Sequence, residues 1–112
     1  MKKIEAFIRP HRLNSLKDRL AKEHYPALTA YEVRGRGKQS GLIQTMNGQD
    51  MYVDLMPKTK VELVINDEDV ERAVEIISEV GWTGAIGDGK IFISTVDEVI
   101  QIRTGLRGKE AI

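Results

Sequence analysis

The clearest chemical signal in the sequence is a glycine-rich stretch at residues 83–92, which reads TGAIGDGKIF. Three glycines fall within six residues, so the backbone can turn sharply and approach a ligand without side chains in the way. Exposed backbone N–H groups beside the ammonium group of Lys90 would suit a phosphate. The stretch therefore predicts an anion-binding loop.

The same stretch has to be compared with a P-loop, because residues 84–90 satisfy the pattern GxxxxGK. In a P-loop the lysine is followed by a Ser or Thr that binds magnesium, whereas Ile91 follows it here. A P-loop also leads from a strand into a helix, whereas here a helical pattern ends at Gly81 and a strand pattern begins at Lys90. The phosphate-binding chemistry is retained, but a P-loop NTPase fold is excluded.

A second basic, glycine-containing stretch occupies residues 34–39, with the sequence RGRGKQ, and Arg103 adds another cation near the end of the chain. Taken singly, either loop is more simply a turn with solvated cations. Taken together with Arg103, the two loops favour a binding site for a polyphosphate, because they combine backbone donors with Lys and Arg.

The composition narrows the class of protein. The 112 residues suffice for one domain, and 17 basic residues balance 17 acidic ones, which argues against bulk binding to nucleic acid or to an anionic membrane. The absence of cysteine excludes disulfides, thiolate catalysis and cysteine-ligated metals. No apolar run is long enough to cross a bilayer. A cytoplasmic protein without membrane insertion is expected.

An enzyme is poorly supported, and we predict no catalytic residues. His11 and His24 are the only imidazoles, and neither has a second metal-ligand candidate at a suitable spacing. The sequence has no GxSxG or HExxH motif, and its carboxylates are spread along helical patterns as solvated faces.

The hydrophobic pattern predicts six elements in the order strand, helix, strand, strand, helix, strand. We place the strands at residues 3–9, 28–36, 58–66 and 90–96 and the helices at residues 13–23 and 67–81, the second capped by Asn66 or Asp67. A short segment at residues 99–103 follows. This order predicts an α+β, ferredoxin-like βαββαβ fold with an antiparallel sheet and both helices on one side.

Residues 35–57 show no sustained period of either kind. Loops of this length inside a compact domain are uncommon and usually functional or disordered, although a slack hairpin connection is the simpler alternative. The tip at residues 45–52 mixes flexible apolar side chains with polar ones, which suits a surface that adapts to a partner.

Each predicted element has an apolar face. The side chains expected to lie between sheet and helices are Ile4, Ala6, Ile8, Leu13, Leu16, Leu20, Ala21, Val61, Leu63, Ile65, Val70, Ala73, Val74, Ile77, Val80, Ile91 and Ile93. The opposite face of the sheet still presents Phe7, Val64, Phe92 and Val96. We therefore expect that face to be buried against other copies of the chain.

Several short motifs occur together along the chain. They are KIEA at residues 3–6, Gly35 with GKQ at 37–39 before a long loop, PK at 57–58, TG at 83–84 with GDGKIF at 87–92, and RTG at 103–105. With these motifs the chain resembles a known family, the PII signal-transduction proteins of nitrogen regulation. The resemblance runs the whole length, as one domain over residues 1–112. It identifies a long T-loop at about 37–56 between the second and third strands, a nucleotide loop at 82–90 and a C-terminal tail at 104–112.

The resemblance implies a homotrimer with three clefts between subunits that bind ATP and ADP in competition. The residues at the matching nucleotide-binding positions are Thr29, Gly37, Lys38, Val64, Gly87, Asp88, Gly89, Lys90 and Arg103. By the same carry-over, Gln39 helps to hold Mg²⁺ on the ATP phosphates, and 2-oxoglutarate completes the shell of that ion and pairs with Lys58. The T-loop then changes shape with the ligand, and controls an enzyme of nitrogen metabolism or a membrane transporter.

This sequence departs from the family at positions that matter for regulation. The tyrosine that many members uridylylate is matched by Met51, with Tyr52 one residue out of register, and a serine phosphorylated in others is matched by Gln49. Asn47 replaces the basic tip residue that plugs ammonium channels, and Gln101 replaces an arginine that often contacts phosphate. Asn47, Met51 and Tyr52 remain the expected partner-binding residues of the loop.

Two alternatives remain open. The chain can be a divergent interaction module that senses adenine nucleotides alone and regulates a partner outside nitrogen metabolism, such as a transporter, which would give it an indirect membrane association. The other is a small enzyme, for which the sequence offers no candidate base. Gln39 and Lys58 favour the sensor of 2-oxoglutarate, because they have no evident task without that ligand.

Overall fold

The computed structural model describes residues 1–37, 42–46, 49–53 and 55–112, with the backbone alone for 42–46 and 49–53. Its strands and helices are β1 (Lys2–Ile8), α1 (Leu13–Lys22), β2 (Thr29–Gly35), β3 (Leu42–Met46), β4 (Gln49–Val53), β5 (Met56–Ile65), α2 (Val70–Gly81) and β6 (Ile91–Thr95). Short 3-10 turns lie at Pro10–Arg12, Asp67–Asp69 and Gly108–Ala111.

The main sheet has four antiparallel strands in the order β2-β5-β1-β6. The two strands that carry the most alternating sequence, β1 and β5, lie in the centre, with Ile4 opposite Leu63. Side chains from both helices join the inward residues of these strands in one apolar core. The predicted ferredoxin-like α+β fold is confirmed.

Strands β3 and β4 form a separate two-stranded ladder, with Leu42 opposite Val53. The lack of a sustained period at residues 35–57 therefore did not mean a lack of strands, and the ladder agrees with the simpler alternative of a hairpin connection. The sequence did carry a signal, since an Asn-Gly dipeptide at residues 47–48 between two apolar-rich runs is typical of a β-hairpin.

The core agrees with most of the predicted apolar faces. Its members are Ile4, Ala6, Ile8, Leu16, Leu20, Val61, Leu63, Ile65, Val70, Ala73, Ile76, Ile77 and Val80, with Leu13, Val74 and Ile91 partly buried against them. Ile76 was not predicted, and it is fully buried. Its position on α2 lies beside the predicted stripe, so the buried face of this helix is wider than a narrow seam.

Two predicted core residues are exposed. Ala21 faces solvent near the end of α1. Ile93 has the same orientation as its neighbour Ile4 in the ladder, yet it is 48% exposed. The reason is its position on β6, an edge strand paired only with β1, where the covering helices supply few neighbours.

The start of α2 differs from the predicted capping. A 3-10 turn precedes the helix, and neither Asn66 nor Asp69 makes a side-chain capping hydrogen bond in the described structure. The carboxylate of Asp67 instead accepts a hydrogen bond from the N-terminal ammonium group of Met1, at 2.9 Å. The prediction that Asn66 or Asp67 caps the helix is wrong, because a tertiary ion pair uses the candidate carboxylate.

The outer face of the sheet carries a mixed polar and aromatic surface. Lys60 contacts Glu5 and Glu62 at 3.4 and 2.9 Å, and Lys3 contacts Glu5 at 3.0 Å. The rings of Phe7 and Phe92 meet edge to face with centroids 5.8 Å apart, and Phe92 is still 54% exposed in the single chain. The formal charges of these two lysines and two glutamates cancel within the cluster, and the surface beside it is partly apolar.

The chain beyond β6 folds back on itself. Ile100 bridges to Arg107, and the Gln101 N–H donates to the Leu106 carbonyl at 2.9 Å. The side-chain oxygen of Gln101 accepts a hydrogen bond from the Thr104 hydroxyl. The predicted segment at residues 99–103 is therefore one arm of a turn, with Arg103 exposed within it.

Replacing His24 by glycine is expected to stabilise the protein. His24 follows α1 with a φ of 69°, a left-handed conformation in which a side chain is strained and glycine is not. We expect a gain of about 0.5–1 kcal/mol in the free energy of unfolding, measured by urea denaturation. The control is Lys17→Gly, at an exposed position inside α1, which should lose about 1 kcal/mol. A loss of stability in His24→Gly would contradict this reading of the helix end.

Candidate functional site

The glycine-rich loop between α2 and β6 is built around the carboxylate of Asp88. Gly84, Gly87 and Gly89 have φ values of 83°, 105° and 96°, which side-chain-bearing residues rarely adopt. Oδ2 of Asp88 accepts hydrogen bonds from the N–H groups of Thr83 and Gly84, at 2.8 and 2.9 Å. Oδ1 accepts a further bond from the Thr83 hydroxyl. The loop is thus a closed turn that leads from helix to strand, the reverse of the order in a P-loop.

The hydrogen bonds to Asp88 favour its ionised form. The Thr83 hydroxyl, the two loop N–H groups and the Arg9 guanidinium lower the pKa of this carboxyl from 3.8 to about 2. Asp88 was predicted as a nucleotide-binding residue. Its side chain is already occupied by the loop, so any contact from this position to a ligand falls to its backbone.

This network makes the shape of the loop pH-dependent in a defined direction. The stabilisation by the carboxylate is complete above its ordinary pKa of 3.8 and is lost as the pH falls through about 2. We expect Asp88→Asn to reproduce the acid state at neutral pH, with faster amide exchange at Thr83 and Gly84. Asp97→Asn, an exposed position just after β6, serves as the control. Unchanged exchange at both amides in Asp88→Asn would show that the carboxylate does not hold the loop.

Two cations hold the loop from the other side. Arg9, just after β1, donates through Nη2 to the Ile86 carbonyl and to Asp88, both at 3.1 Å, and more weakly to the Thr83 hydroxyl at 3.4 Å. Lys58 on β5 donates through Nζ to the Gly87 carbonyl. Burial, followed by the nearby Arg9 guanidinium, lowers the pKa of the Lys58 ammonium group.

The loop also lies directly against the end of β1. The Phe7 N–H donates to the Lys90 carbonyl at 2.9 Å. A Cβ atom placed on Gly89 would lie 1.6 Å from the carbonyl oxygen of Phe7, so this position accepts no side chain. Within the described part of the chain, the N–H groups of Gly87, Asp88 and Gly89 have no hydrogen-bond acceptor.

The structure brings only some of the predicted site residues together. Gly87, Asp88, Gly89 and Lys90 form the loop, and Lys58 contacts it. Thr29 and Val64 lie on the outer face of the sheet, four to six residues along the ladder from Lys58, or roughly 13–20 Å at strand spacing. Arg103 lies in the separate C-terminal turn.

The remaining predicted residues fall in or beside the undescribed part of the chain. Gly37 is the last residue before it, while Lys38, Gln39 and Asn47 lie outside the described residues. Met51 and Tyr52 are in β4, where the backbone alone is described. The described ranges contain no group of three or more His, Cys, Asp or Glu residues that could hold a metal ion.

Comparison with known proteins decides the family. The model of the family described as "Nitrogen regulatory protein P-II" matches residues 1–106. The chain is 53% identical over its whole length to nitrogen regulatory protein P-II 2 of Methanothermobacter thermautotrophicus, 97% of which is covered. It is 47% identical to nitrogen regulatory protein P-II of Rhodospirillum rubrum and 46% identical to that of Azospirillum brasilense, with both chains covered completely in each case.

The chain belongs to the P-II family. P-II proteins are regulatory signal-transduction proteins rather than enzymes, so this member is a nitrogen regulatory signalling protein, as the resemblance implied. The family binds adenine nucleotides and acts through target proteins. No helix in the described ranges has both the length and the apolar composition that a membrane crossing requires.

Sequence reasoning missed two residues of the P-II loop network. Thr83 donates twice to Asp88, and Arg9 contacts three points of the loop from the far end of the sequence. The sequence carried a weak signal for Thr83, since Thr hydroxyls and Asp carboxylates both form local hydrogen bonds in turns and these two residues flank the glycine turn. No local sequence pattern indicated a role for Arg9, because its contact with the loop depends on the order of the strands in the sheet.

Proposed function

We propose that this P-II protein binds ATP or ADP at the glycine-rich loop, together with Mg²⁺ and 2-oxoglutarate, and regulates a target protein through its T-loop. The observation that carries the proposal is the set of N–H groups at Gly87, Asp88 and Gly89 that have no acceptor among the described residues, in a hydrogen-bonded turn beside the exposed Lys90. Preorganised backbone donors next to a cation are well suited to the phosphates of a nucleotide.

The proposed nucleotide cleft requires more than one copy of the chain. Thr29 and Val64 lie too far along the sheet to share a pocket with the loop of their own chain. A homotrimer that joins the outer face of one copy to the loop of the next would bring the two sets together, with Gly37, Lys38 and Arg103 completing the cleft. The balanced charges of Lys3, Lys60, Glu5 and Glu62 and the exposure of Phe92 support burial of that face in an assembly.

The surroundings of Lys58 support binding of the oxo-acid. Lys58 and Arg9 are two adjacent cations, and the carboxylate that acts on both among the described residues, Asp88, already accepts hydrogen bonds from the loop. The spare positive charge suits a carboxylate ligand. Gln39 would supply an amide oxygen to Mg²⁺, a ligand type that this ion accepts, and the nucleotide phosphates would supply the rest of its coordination.

The regulated target is expected to meet the T-loop, where Asn47, Met51 and Tyr52 are the proposed contacts. The relatives are named as nitrogen regulatory proteins, which favours an enzyme of nitrogen metabolism or a membrane transporter as the target, met in the cytoplasm. With Met51 and Gln49 at the positions modified in other members, control by uridylylation or serine phosphorylation there is not expected.

Calorimetry tests the proposal. We expect ADP and Mg-ATP to bind to the wild type, and 2-oxoglutarate to bind only when Mg-ATP is present. Lys90→Met should weaken both nucleotides about tenfold or more, whereas Lys17→Met on the exposed face of α1 should not. Absence of nucleotide binding would refute the proposal. Nucleotide binding without any oxo-acid binding would favour the module that senses adenine nucleotides alone.

A further inference from the structure

The two cations that contact the glycine-rich loop touch it in a particular way. Arg9 donates to the carbonyl of Ile86, and Lys58 donates to the carbonyl of Gly87. These are successive peptide groups of the loop. We call this pair of contacts the carbonyl clasp.

The clasp determines where the N–H groups of the same peptides point. In a trans peptide the C=O and the N–H project in opposite directions, and the described chain contains no cis peptide bond. The peptide whose oxygen contacts Arg9 carries the N–H of Gly87, and the peptide whose oxygen contacts Lys58 carries the N–H of Asp88. Both N–H groups therefore face away from the cations, and both are without acceptors in the described structure.

The environment of the cations argues that the clasp is more than a surface contact. Arg9 keeps 23% of its side chain exposed, and its guanidinium lies 3.2 Å from the place where a Cβ atom of Gly87 would be. Lys58 Nζ lies 3.4 Å from the same place. The Arg9 guanidinium and the Lys58 ammonium group therefore both lie close to Gly87. Their repulsion is offset because each of them contacts a carbonyl oxygen of the left-handed turn.

We propose that Arg9 and Lys58 are positioning residues that aim the Gly87 and Asp88 N–H groups at the phosphates of the nucleotide. This role deepens the proposed function and rests on it for the identity of the ligand. It does not need Mg²⁺ or an oxo-acid, so it differs from the use of Lys58 as a partner for a carboxylate ligand.

The two cations of the clasp come from neighbouring central strands. Lys58 is the third residue of β5, two residues after the end of the T-loop segment at 37–56. Arg9 directly follows β1, which pairs with β5 in the sheet.

The first test is ADP affinity, measured by calorimetry without Mg²⁺ and without 2-oxoglutarate. Lys58→Met and Arg9→Met should each weaken ADP about tenfold, which is the scale of one charge-assisted hydrogen bond. Lys58→Arg keeps a cationic donor of similar reach and should restore most of the affinity. Lys17→Met is the control on α1. ADP affinity equal to that of the wild type in both methionine variants would overturn the proposal.

The second test needs no nucleotide and therefore separates the clasp from the proposed function. Order parameters of the Gly87 and Asp88 amides, from ¹⁵N relaxation, should be near 0.85 in the wild type and fall below about 0.6 in Lys58→Met. The amide of Leu63 in the core strand should not change. If the wild type fails to bind ADP, the proposed function is refuted. If the Gly87 and Asp88 amides stay rigid in both methionine variants, the clasp is refuted.

Discussion

Replacement of Gly89 by alanine is expected to detach the glycine-rich loop from β1 and to abolish nucleotide binding. The added Cβ would lie 1.6 Å from the oxygen and 2.8 Å from the carbon of the Phe7 carbonyl, and both are backbone atoms of a central strand. The residue also has a φ of 96°, where alanine is strained. The left-handed strain and the overpacking together predict a loss of roughly 2–5 kcal/mol in the free energy of unfolding.

Gly105→Ala is the matched control for this prediction. Gly105 has a φ of 74°, but nothing lies within 4 Å of its added Cβ. It therefore carries the left-handed strain without the collision, and should cost only about 1–2 kcal/mol. Urea denaturation and ADP titration should be run on both variants. Equal stability of the two, with ADP still bound by Gly89→Ala, would show that the close approach to β1 is not needed.

Replacement of Ile76 by alanine is expected to cost about 2–5 kcal/mol in the free energy of unfolding, because it removes three carbons from a fully buried position. Ile76 lies in the middle of α2, in the same core as Ile4 and Leu16. Such a loss is a large part of the stability of a domain of this size. The measurement is urea denaturation, with the slope of the transition checked for two-state behaviour.

Two variants calibrate the effect at Ile76. Ile76→Val removes a single methyl group and should cost about 0.5–1.5 kcal/mol. Ser78→Ala, an exposed change two residues along the same helix, should stay within about 0.5 kcal/mol of the wild type. A cost for Ile76→Ala no larger than that for Ser78→Ala would contradict the burial of this side chain.

The main elements and their order could be predicted from the sequence alone. Alternation in β1 and β5 and the helical spacing of Leu16 and Leu20 each arise from burial of one face, a property that a local pattern records directly. The glycine-rich loop was also predictable. Its three positive φ angles favour glycine strongly, so the loop can be recognised in the sequence by its closely spaced glycines. The resemblance to the P-II family rested on the same motifs, and the family was confirmed.

The contacts between these elements depend on the three-dimensional arrangement and could not be predicted from local patterns. Arg9 became part of the loop network because β1 lies in the centre of the sheet, with β6 beside it. Ile93 stayed exposed because β6 is an edge strand, and Asp67 did not cap α2 because the N-terminus lies beside it. A local hydrophobic pattern indicates which face of a helix or strand is buried. The order of the strands and the positions of the chain ends determine which distant residues contact that element. Contacts such as the one between Arg9 and the glycine-rich loop therefore leave no local signal.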